Sequence, residues 1–168
     1  MKKILLFALF TVFVFAASAQ DEKVFVNDKN AQPRQVAGAF SAISVAGSID
    51  IYYNDKGLQW SSGSKKLKAY VSFKTMQKLT ASGASDIYVQ GVLKADALKI
   101  DISGSSDFKG AVDVNHLSLE QSGSSDSRVS GRAQNVKIEV SGASDVKGYD
   151  LVADYCEAIA SGASDIQI

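Results

Sequence analysis

The sequence predicts an all-β fold: a right-handed parallel β-helix, built as a single-stranded solenoid with rungs of about 20 residues. Two observations lead to this prediction. One pentapeptide, Ser-Gly-Ala/Ser-Ser-Asp, occurs five times, at intervals of 21, 19, 19 and 20 residues. Apolar and polar residues also alternate before the copies, as in residues 98–102 and 136–140. Alternation with period two is typical of a strand that has one buried face.

Each repeat reads as a strand, a Ser-Gly turn, a short strand and a second turn at a glycine. A unit of this size cannot bury its own apolar face, so successive copies must stack and pair equivalent strands in parallel. Intervals that vary by one or two residues suit turns that absorb insertions while the strands keep their register. Parallel crossover connections are almost always right-handed, which favours a right-handed coil.

The first 19 residues read as a secretory signal peptide, which predicts an exported protein. Lys2 and Lys3 precede an apolar run, and small residues lead to a cleavage site after Ala19. The run is too short to serve as a transmembrane anchor. We expect residues 20–35 to form a flexible segment and residues 36–168 to form the β-helix domain.

The region before the first pentapeptide contains a degenerate copy of it, Gly47-Ser48-Ile49-Asp50. This copy forms either the first rung or a cap, and residues 54–66 are predicted to form a loop. Several aromatic residues near this end either close the column, which we favour, or form a surface on which a ligand binds. They are Tyr52, Tyr53, Trp60, Tyr70 and Tyr88.

The repeated serine, glycine and aspartate are predicted to be turn residues, because glycine adopts positive φ and serine bonds nearby backbone groups. Stacked aspartates would lie about 4.8 Å apart and repel one another. Backbone N–H donors or a shared cation must offset this repulsion. Calcium needs more oxygens than one aspartate per rung supplies, so we favour the donors and predict no metal or cofactor. The residues are Ser82, Gly83, Asp86, Ser103, Gly104, Asp107, Ser122, Gly123, Asp126, Ser141, Gly142, Asp145, Ser161, Gly162 and Asp165.

Composition and motifs argue against several classes of function. Removal of the signal peptide changes the formal charge from 0 to −2, and no basic patch indicates a nucleic acid or membrane partner. His116 is the single histidine, and catalytic motifs are absent from the sequence. Cys156 is the single cysteine and has the same offset from its serine as Leu98 and Leu117, so we expect a buried thiol.

Arg34, residues 38–43, the strand at residues 47–51 and the serial pentapeptides together resemble a family of exported bacterial proteins. That family is described as putative auto-transporter adhesin, head GIN domain. The resemblance implies a β-helical solenoid in the periplasm or on the outer surface of a Gram-negative bacterium. Members typically carry at least one further rung, which implies that C-terminal rungs are missing here. An exposed final rung could then self-associate.

The outward positions of the strands carry mixed charges, which are most simply explained as a solvated sheet face. Such a face could also form hydrogen bonds with sugars. We therefore favour a non-enzymatic, adhesin-like binding module of the cell envelope with a glycan or protein partner. Two alternatives stay open, a polysaccharide-processing β-helix enzyme and a purely structural envelope protein. The outward residues are Lys99, Asp101, Glu120, Lys137 and Glu139.

Overall fold

The computed structural model describes residues 40–54, 67–71 and 75–168, which form nine strands and no helix. In this part of the chain there is accordingly no helical segment with the length and hydropathy of a membrane span. The predicted signal peptide, the segment 20–35 and most of the predicted loop lie outside the described residues. The strands are β1 (Ala42–Gly47), β2 (Ile49–Asn54), β3 (Leu67–Val71), β4 (Lys78–Gly83), β5 (Ile87–Ile102), β6 (Phe108–Gln121), β7 (Asp126–Val140), β8 (Asp145–Ala160) and β9 (Asp165–Gln167).

All strand pairs are parallel, in the order β1-β4-β5-β6-β7-β8-β9, and β2 pairs with β3 and β5. Each strand from β5 to β8 covers most of one rung and pairs with the equivalent strand of the next rung. The fold is a parallel β-solenoid of about four turns with rungs of about 20 residues, which confirms the predicted class.

The differences in repeat length are absorbed at the second glycine of the rung. The four-residue step from Tyr88 to Val92 in β5 pairs with a two-residue step in β6, so β5 holds two extra residues. In β8, one extra residue lies between Lys147 and Asp150. These insertions account for the intervals of 21 and 20 residues, and the strands on either side stay in register.

The first rung is formed by the degenerate copy of the pentapeptide. Gly47 pairs with Gly83, and Ile51 pairs with Ile87, which places the copy in register with the repeats. β3 then pairs with the other edge of β2. The N-terminal rung is therefore both a member of the repeat and partly covered by a strand that follows it in sequence.

Each rung presents three outward faces. The first face comprises residues 99–102 and their register equivalents, the second residues 107–110, and the third residues 111–115. Two consecutive exposed residues, such as Asn115 and His116, mark the corner between the third face and the next first face. Inward side chains from all three faces form one apolar core along the axis. Its most completely buried members include Leu79, Leu98, Ile100, Phe108, Val112, Leu119 and Ile138.

The prediction of a buried thiol at Cys156 is wrong. The residue occupies the expected inward column, because it pairs with the buried Val136, but it is exposed. Inward side chains are buried by the rungs on both sides. Within the described residues, the stretch of β8 after Lys147 pairs with β7 alone. Partial desolvation nevertheless raises the pKa of the thiol.

Candidate functional site

The pentapeptide glycines allow successive turns to stack in direct contact. All five have positive φ, between +78° and +89°. A Cβ atom at Gly123 would lie 2.5 Å from the carbonyl oxygen of Gly104 in the preceding rung. A side chain at this position would therefore combine backbone strain with a clash against backbone atoms.

The serine that precedes each aspartate forms a buried hydrogen-bond ladder between rungs. Ser144 Oγ accepts the N–H of Ser125 at 3.2 Å and donates to the carbonyl oxygen of Gly123 at 3.2 Å. In the same way, Ser106 Oγ accepts the N–H of Ser85 at 3.1 Å. Sequence reasoning expected bonds within each turn. The repetition of this serine was visible in the sequence, but its partner in the neighbouring rung was not.

The first serine of each pentapeptide begins the turn and also forms hydrogen bonds to the preceding rung. Hydroxyl groups of Ser82, Ser141 and Ser161 donate to backbone carbonyls at 3.3, 3.5 and 3.4 Å. The backbone N–H groups of Ser103, Ser122, Ser141 and Ser161 also donate to carbonyl oxygens of the preceding rung, each at 2.9 Å. These serines therefore contribute to the stacking of the turns.

The aspartates stack in a column, and backbone donors from the next rung bind their carboxylates. Asp107 donates its N–H to Asp86 Oδ1 at 3.1 Å, and Asp126 donates to Asp107 Oδ1 at 3.1 Å. Asp145 pairs in register with Asp126 and with Asp165. These N–H groups offset part of the repulsion between carboxylates. Among the described side chains, no three or more His, Cys, Asp or Glu residues are grouped so that they could hold a metal ion.

Two of the five aromatic residues form a stack at the N-terminal end. Tyr52 pairs in register with Tyr88, with ring centroids 5.1 Å apart and an interplanar angle of 18°. The Tyr88 hydroxyl donates to Asp86 Oδ2 at 3.3 Å. Burial, together with the negative charge of Asp86, raises the pKa of Tyr88 to about 12. Each tyrosine ring uses one of its two sides in this stack, and the stack joins the first two complete rungs.

The less favoured alternative, a ligand-binding surface, does not include Tyr53, because its side chain belongs to the buried core. Successive strand residues point to opposite sides, so Tyr52 and Tyr53 cannot both face outward. Tyr70 pairs with Tyr52 through the backbone, and its side chain lies outside what the structure describes. Trp60 also lies outside the described residues. The structure thus brings together two of the five aromatic side chains.

The second face carries two parallel columns of functional groups. One is the aspartate column. The other stands two residues further along each strand and consists of Tyr52, Tyr88, Lys109, Arg128, Lys147 and Gln167. Lys109 and Arg128 are exposed, and Lys147 lies 3.9 Å from Asp145. The spacing Asp-x-Tyr/Lys/Arg in the first four pentapeptide repeats was a sequence signal for this face that sequence reasoning missed.

The first face carries two outward columns of mixed polarity. One consists of Lys78, Lys99, Ser118, Lys137 and Glu157, and the next of Thr80, Asp101, Glu120, Glu139 and Ile159. Lys78 contacts Asp101 at 2.7 Å, and Lys99 contacts Glu120 at 2.5 Å. Lys137 contacts Glu139 at 2.7 Å. The hydrogen bond to Glu120 raises the pKa of Lys99, and the Lys137–Glu139 bond raises the pKa of the lysine and lowers that of the carboxyl.

A shallow groove follows the corner between the third and first faces, along the axis of the solenoid. Buried apolar residues form its floor, namely Leu98, Leu117 and Val136. His116, Asn135 and Tyr155 lie on one side and Lys99, Ser118 and Lys137 on the other. His116 is exposed and pairs through the backbone with Ala97 and Asn135. His116 therefore lies at an open corner of the solenoid, in a strand that is paired on both sides.

Comparison with known families gives one match, and it agrees with the architecture. The family profile described as putative auto-transporter adhesin, head GIN domain, matches residues 42–168. The matched range covers the described solenoid from β1 to the end of the sequence. Its description indicates an adhesin-like protein that is exported. No curated protein and no solved structure matches the chain. The chain belongs to the putative auto-transporter adhesin, head GIN domain family.

Proposed function

We propose that the protein is a non-enzymatic, adhesin-like module of the cell envelope that binds a glycan through its second face. The observation that carries the proposal is the pair of columns on this face. Carboxylates stand in one column, and tyrosines and cations stand in the other, at intervals of about 4.8 Å. Hydroxyl groups of a glycan can donate to carboxylates and accept from Lys or Arg.

The stacked turns support this function by holding the face rigid. The buried serine ladder and the close glycine contacts fix each rung against its neighbour. A rigid surface loses little conformational freedom when a ligand binds, which favours affinity. The predicted signal peptide and the family description support export, and we propose a location in the periplasm or on the outer surface.

The bonding of the aspartates favours binding over catalysis. Asp86 and Asp107 each use one carboxylate oxygen to accept a backbone N–H group from the next rung. An oxygen that is held by a backbone donor is less available to exchange a proton with a substrate. The column therefore suits recognition of hydroxyl groups better than proton transfer.

The test is binding of the purified protein to a broad glycan array, with calcium and with a chelator in parallel. We expect reproducible binding to one class of glycan under both conditions. Replacement of Lys109 and Arg128 by Ala should weaken it about 10-fold or more, as expected when two hydrogen-bonding cations are lost. The matched control replaces Lys94 and Arg132 by Ala, because these are exposed cations of the third face, Arg132 in the rung of Arg128 and Lys94 in the rung before Lys109.

Three outcomes would contradict the proposal in different ways. Folded protein that binds no glycan under either condition would exclude glycan recognition. Equal losses in the two variants would show that the second face is not the site. Binding that requires calcium would show that the aspartate column holds a metal ion, and the preference for backbone donors over a shared cation would be wrong.

A further inference from the structure

Each column of the second face keeps the same hydrogen-bonding chemistry from rung to rung. One column consists of carboxylates, which accept hydrogen bonds. The side chains of the other column, here called the donor column, all carry N–H or O–H donors. The carboxylates are Asp86, Asp107, Asp126, Asp145 and Asp165. The donor column, over the same rungs, comprises Tyr88, Lys109, Arg128, Lys147 and Gln167.

The outward columns of the other two faces do not repeat in this way. A column of the third face changes in charge or polarity at every rung, and reads Lys94, Asp113, Arg132 and Val152. On the first face, Lys99, Ser118, Lys137 and Glu157 follow one another in one column. A surface that repeats the same groups at every rung is matched by a ligand that repeats with the same spacing.

Two cations of the donor column are available to such a ligand. Lys109 and Arg128 are exposed and form no ion pair with another described residue. By contrast, Lys94 of the third face lies 3.4 Å from Asp113. Lys109 and Arg128 stand in adjacent rungs, about 4.8 Å apart, where like charges repel each other. A ligand that accepts hydrogen bonds in consecutive rungs would offset this repulsion.

The dimensions of the face identify the shape of the ligand. The two columns are two residues apart along the strand, about 6.6 Å, and each repeats about every 4.8 Å along the axis. In an unbranched β-1,4-linked chain, successive sugar rings advance along a nearly straight line by roughly the distance between rungs. Each ring carries oxygen atoms at both edges of the ribbon. One edge can donate to the carboxylates while the other accepts from the donor column.

We propose that the glycan bound by the second face is an unbranched, neutral, β-1,4-linked chain that runs along the axis with one sugar per rung. The inference rests on the proposed function and names the class of glycan. An acidic chain is disfavoured, because five carboxylates stand beside the three cations Lys109, Arg128 and Lys147. An α-1,4-linked chain curls and would leave the straight columns after a few sugars.

The test is calorimetric titration of the purified protein with β-1,4-linked oligomers of glucose, mannose, xylose or N-acetylglucosamine, from the dimer to the hexamer. We expect the affinity for at least one series to rise about 5-fold with each sugar, as for one added hydrogen bond. The rise should end at about the tetramer, because the donors with the longest reach occupy the four rungs from Tyr88 to Lys147. The α-1,4-linked glucose oligomers and a β-1,4-linked oligouronate should show no such rise.

A single substitution in the middle of the donor column tests where the chain lies. Arg128→Ala should weaken binding of the tetramer about 5-fold, because the third of four sugars loses its donor. The matched control is Arg132→Ala, which removes an exposed cation from the same rung on the third face and should leave the affinity unchanged.

The outcomes separate this inference from the proposed function. Affinity that does not depend on chain length, equal binding of the α-1,4-linked series, or tighter binding of the oligouronate would overturn the inference and leave glycan binding intact. Equal losses in Arg128→Ala and Arg132→Ala would also overturn it. So would glycans bound on the array when no β-1,4-linked series binds. Absence of binding to every glycan on the array would overturn the proposed function, and this inference with it.

Discussion

The middle rungs and the last complete rung are built from the same repeat, but equivalent positions in them have different neighbours. Val136 and Cys156 pair in one inward column, and Val136 is 2% exposed whereas Cys156 is open to solvent. The backbone register continues unchanged between them. In this solenoid, burial is therefore set by the neighbouring rungs and not by the local pattern of the sequence.

The same contrast applies to energetics. In a repeat protein, stability is approximately a sum of terms from each rung and from each interface between rungs. β7 has long pairings on both sides, with β6 and β8, whereas β8 shares only a short pairing with β9. Equivalent substitutions should therefore cost much more in the middle rungs than at the ends. Three comparisons test this, in order of decreasing effect.

The largest expected effect is at the turn glycines. Gly123→Ala introduces a Cβ 2.5 Å from the backbone of the preceding rung at φ +89°, whereas Gly47→Ala, at φ +102°, meets nothing within 4 Å. Positive φ alone costs about 1–3 kcal/mol. We expect about that loss for Gly47→Ala and more than about 4 kcal/mol, or failure to fold, for Gly123→Ala.

Urea denaturation monitored by circular dichroism measures both variants. Because both glycines have positive φ, the difference between the two losses isolates the backbone contact between stacked turns. Losses of similar size would show that strain within the turn, and not stacking, explains why glycine recurs in the pentapeptide.

The inward column gives the second comparison. Val136→Ala removes buried methyl groups and leaves a cavity, which should cost about 2–3 kcal/mol of unfolding free energy. Cys156→Ala alters an exposed position in the same column and should change stability by less than about 0.5 kcal/mol. Thermal denaturation measures both. Native-state modification of Cys156 by a thiol reagent should also be complete, and a protected thiol would contradict the exposed position.

The sequence was sufficient to predict the solenoid, the rung length and the insertion of residues at turns, since each depends on the repeat itself. Residue-level errors arose where a property depends on a neighbouring rung. Cys156 matched the inward pattern but lacked a covering rung in the structure. Tyr53 was grouped with Tyr52, although alternation within a strand places them on opposite sides.

The core also contains polar residues at inward positions that the pattern does not explain. Gln121 at the end of β6 and Ser127 at the start of β7 are both buried. The Gln121 Nε2 group donates to the carbonyl oxygens of Ser125 and Asp145, which ties two rungs together. Gln121 Oε1 and Ser127 Oγ have no hydrogen-bond partner within the described residues. The alternation of apolar and polar residues in the sequence cannot reveal such bonds, because they depend on side-chain geometry across the rung.

The serine ladder gives the smallest of the three comparisons. Ser144→Ala removes the acceptor of the buried Ser125 N–H, and an unsatisfied buried donor costs about 1–3 kcal/mol. Ser164 stands in the equivalent place of the last turn and donates to Gly142 O at 3.2 Å. That carbonyl also accepts the Ala163 N–H, so Ser164→Ala should cost less than about 0.5 kcal/mol.

Hydrogen exchange of individual amides distinguishes the ladder from a general loss of packing. In Ser144→Ala, the Ser125 amide should lose protection more than the strand amides of β6 and β7, because it alone loses its acceptor. In Ser164→Ala, no amide of the middle rungs should change. If both variants instead lowered protection uniformly, the serines would act through the overall stability of the turns. The contrast between middle and terminal rungs would then not extend to the hydrogen-bond ladder.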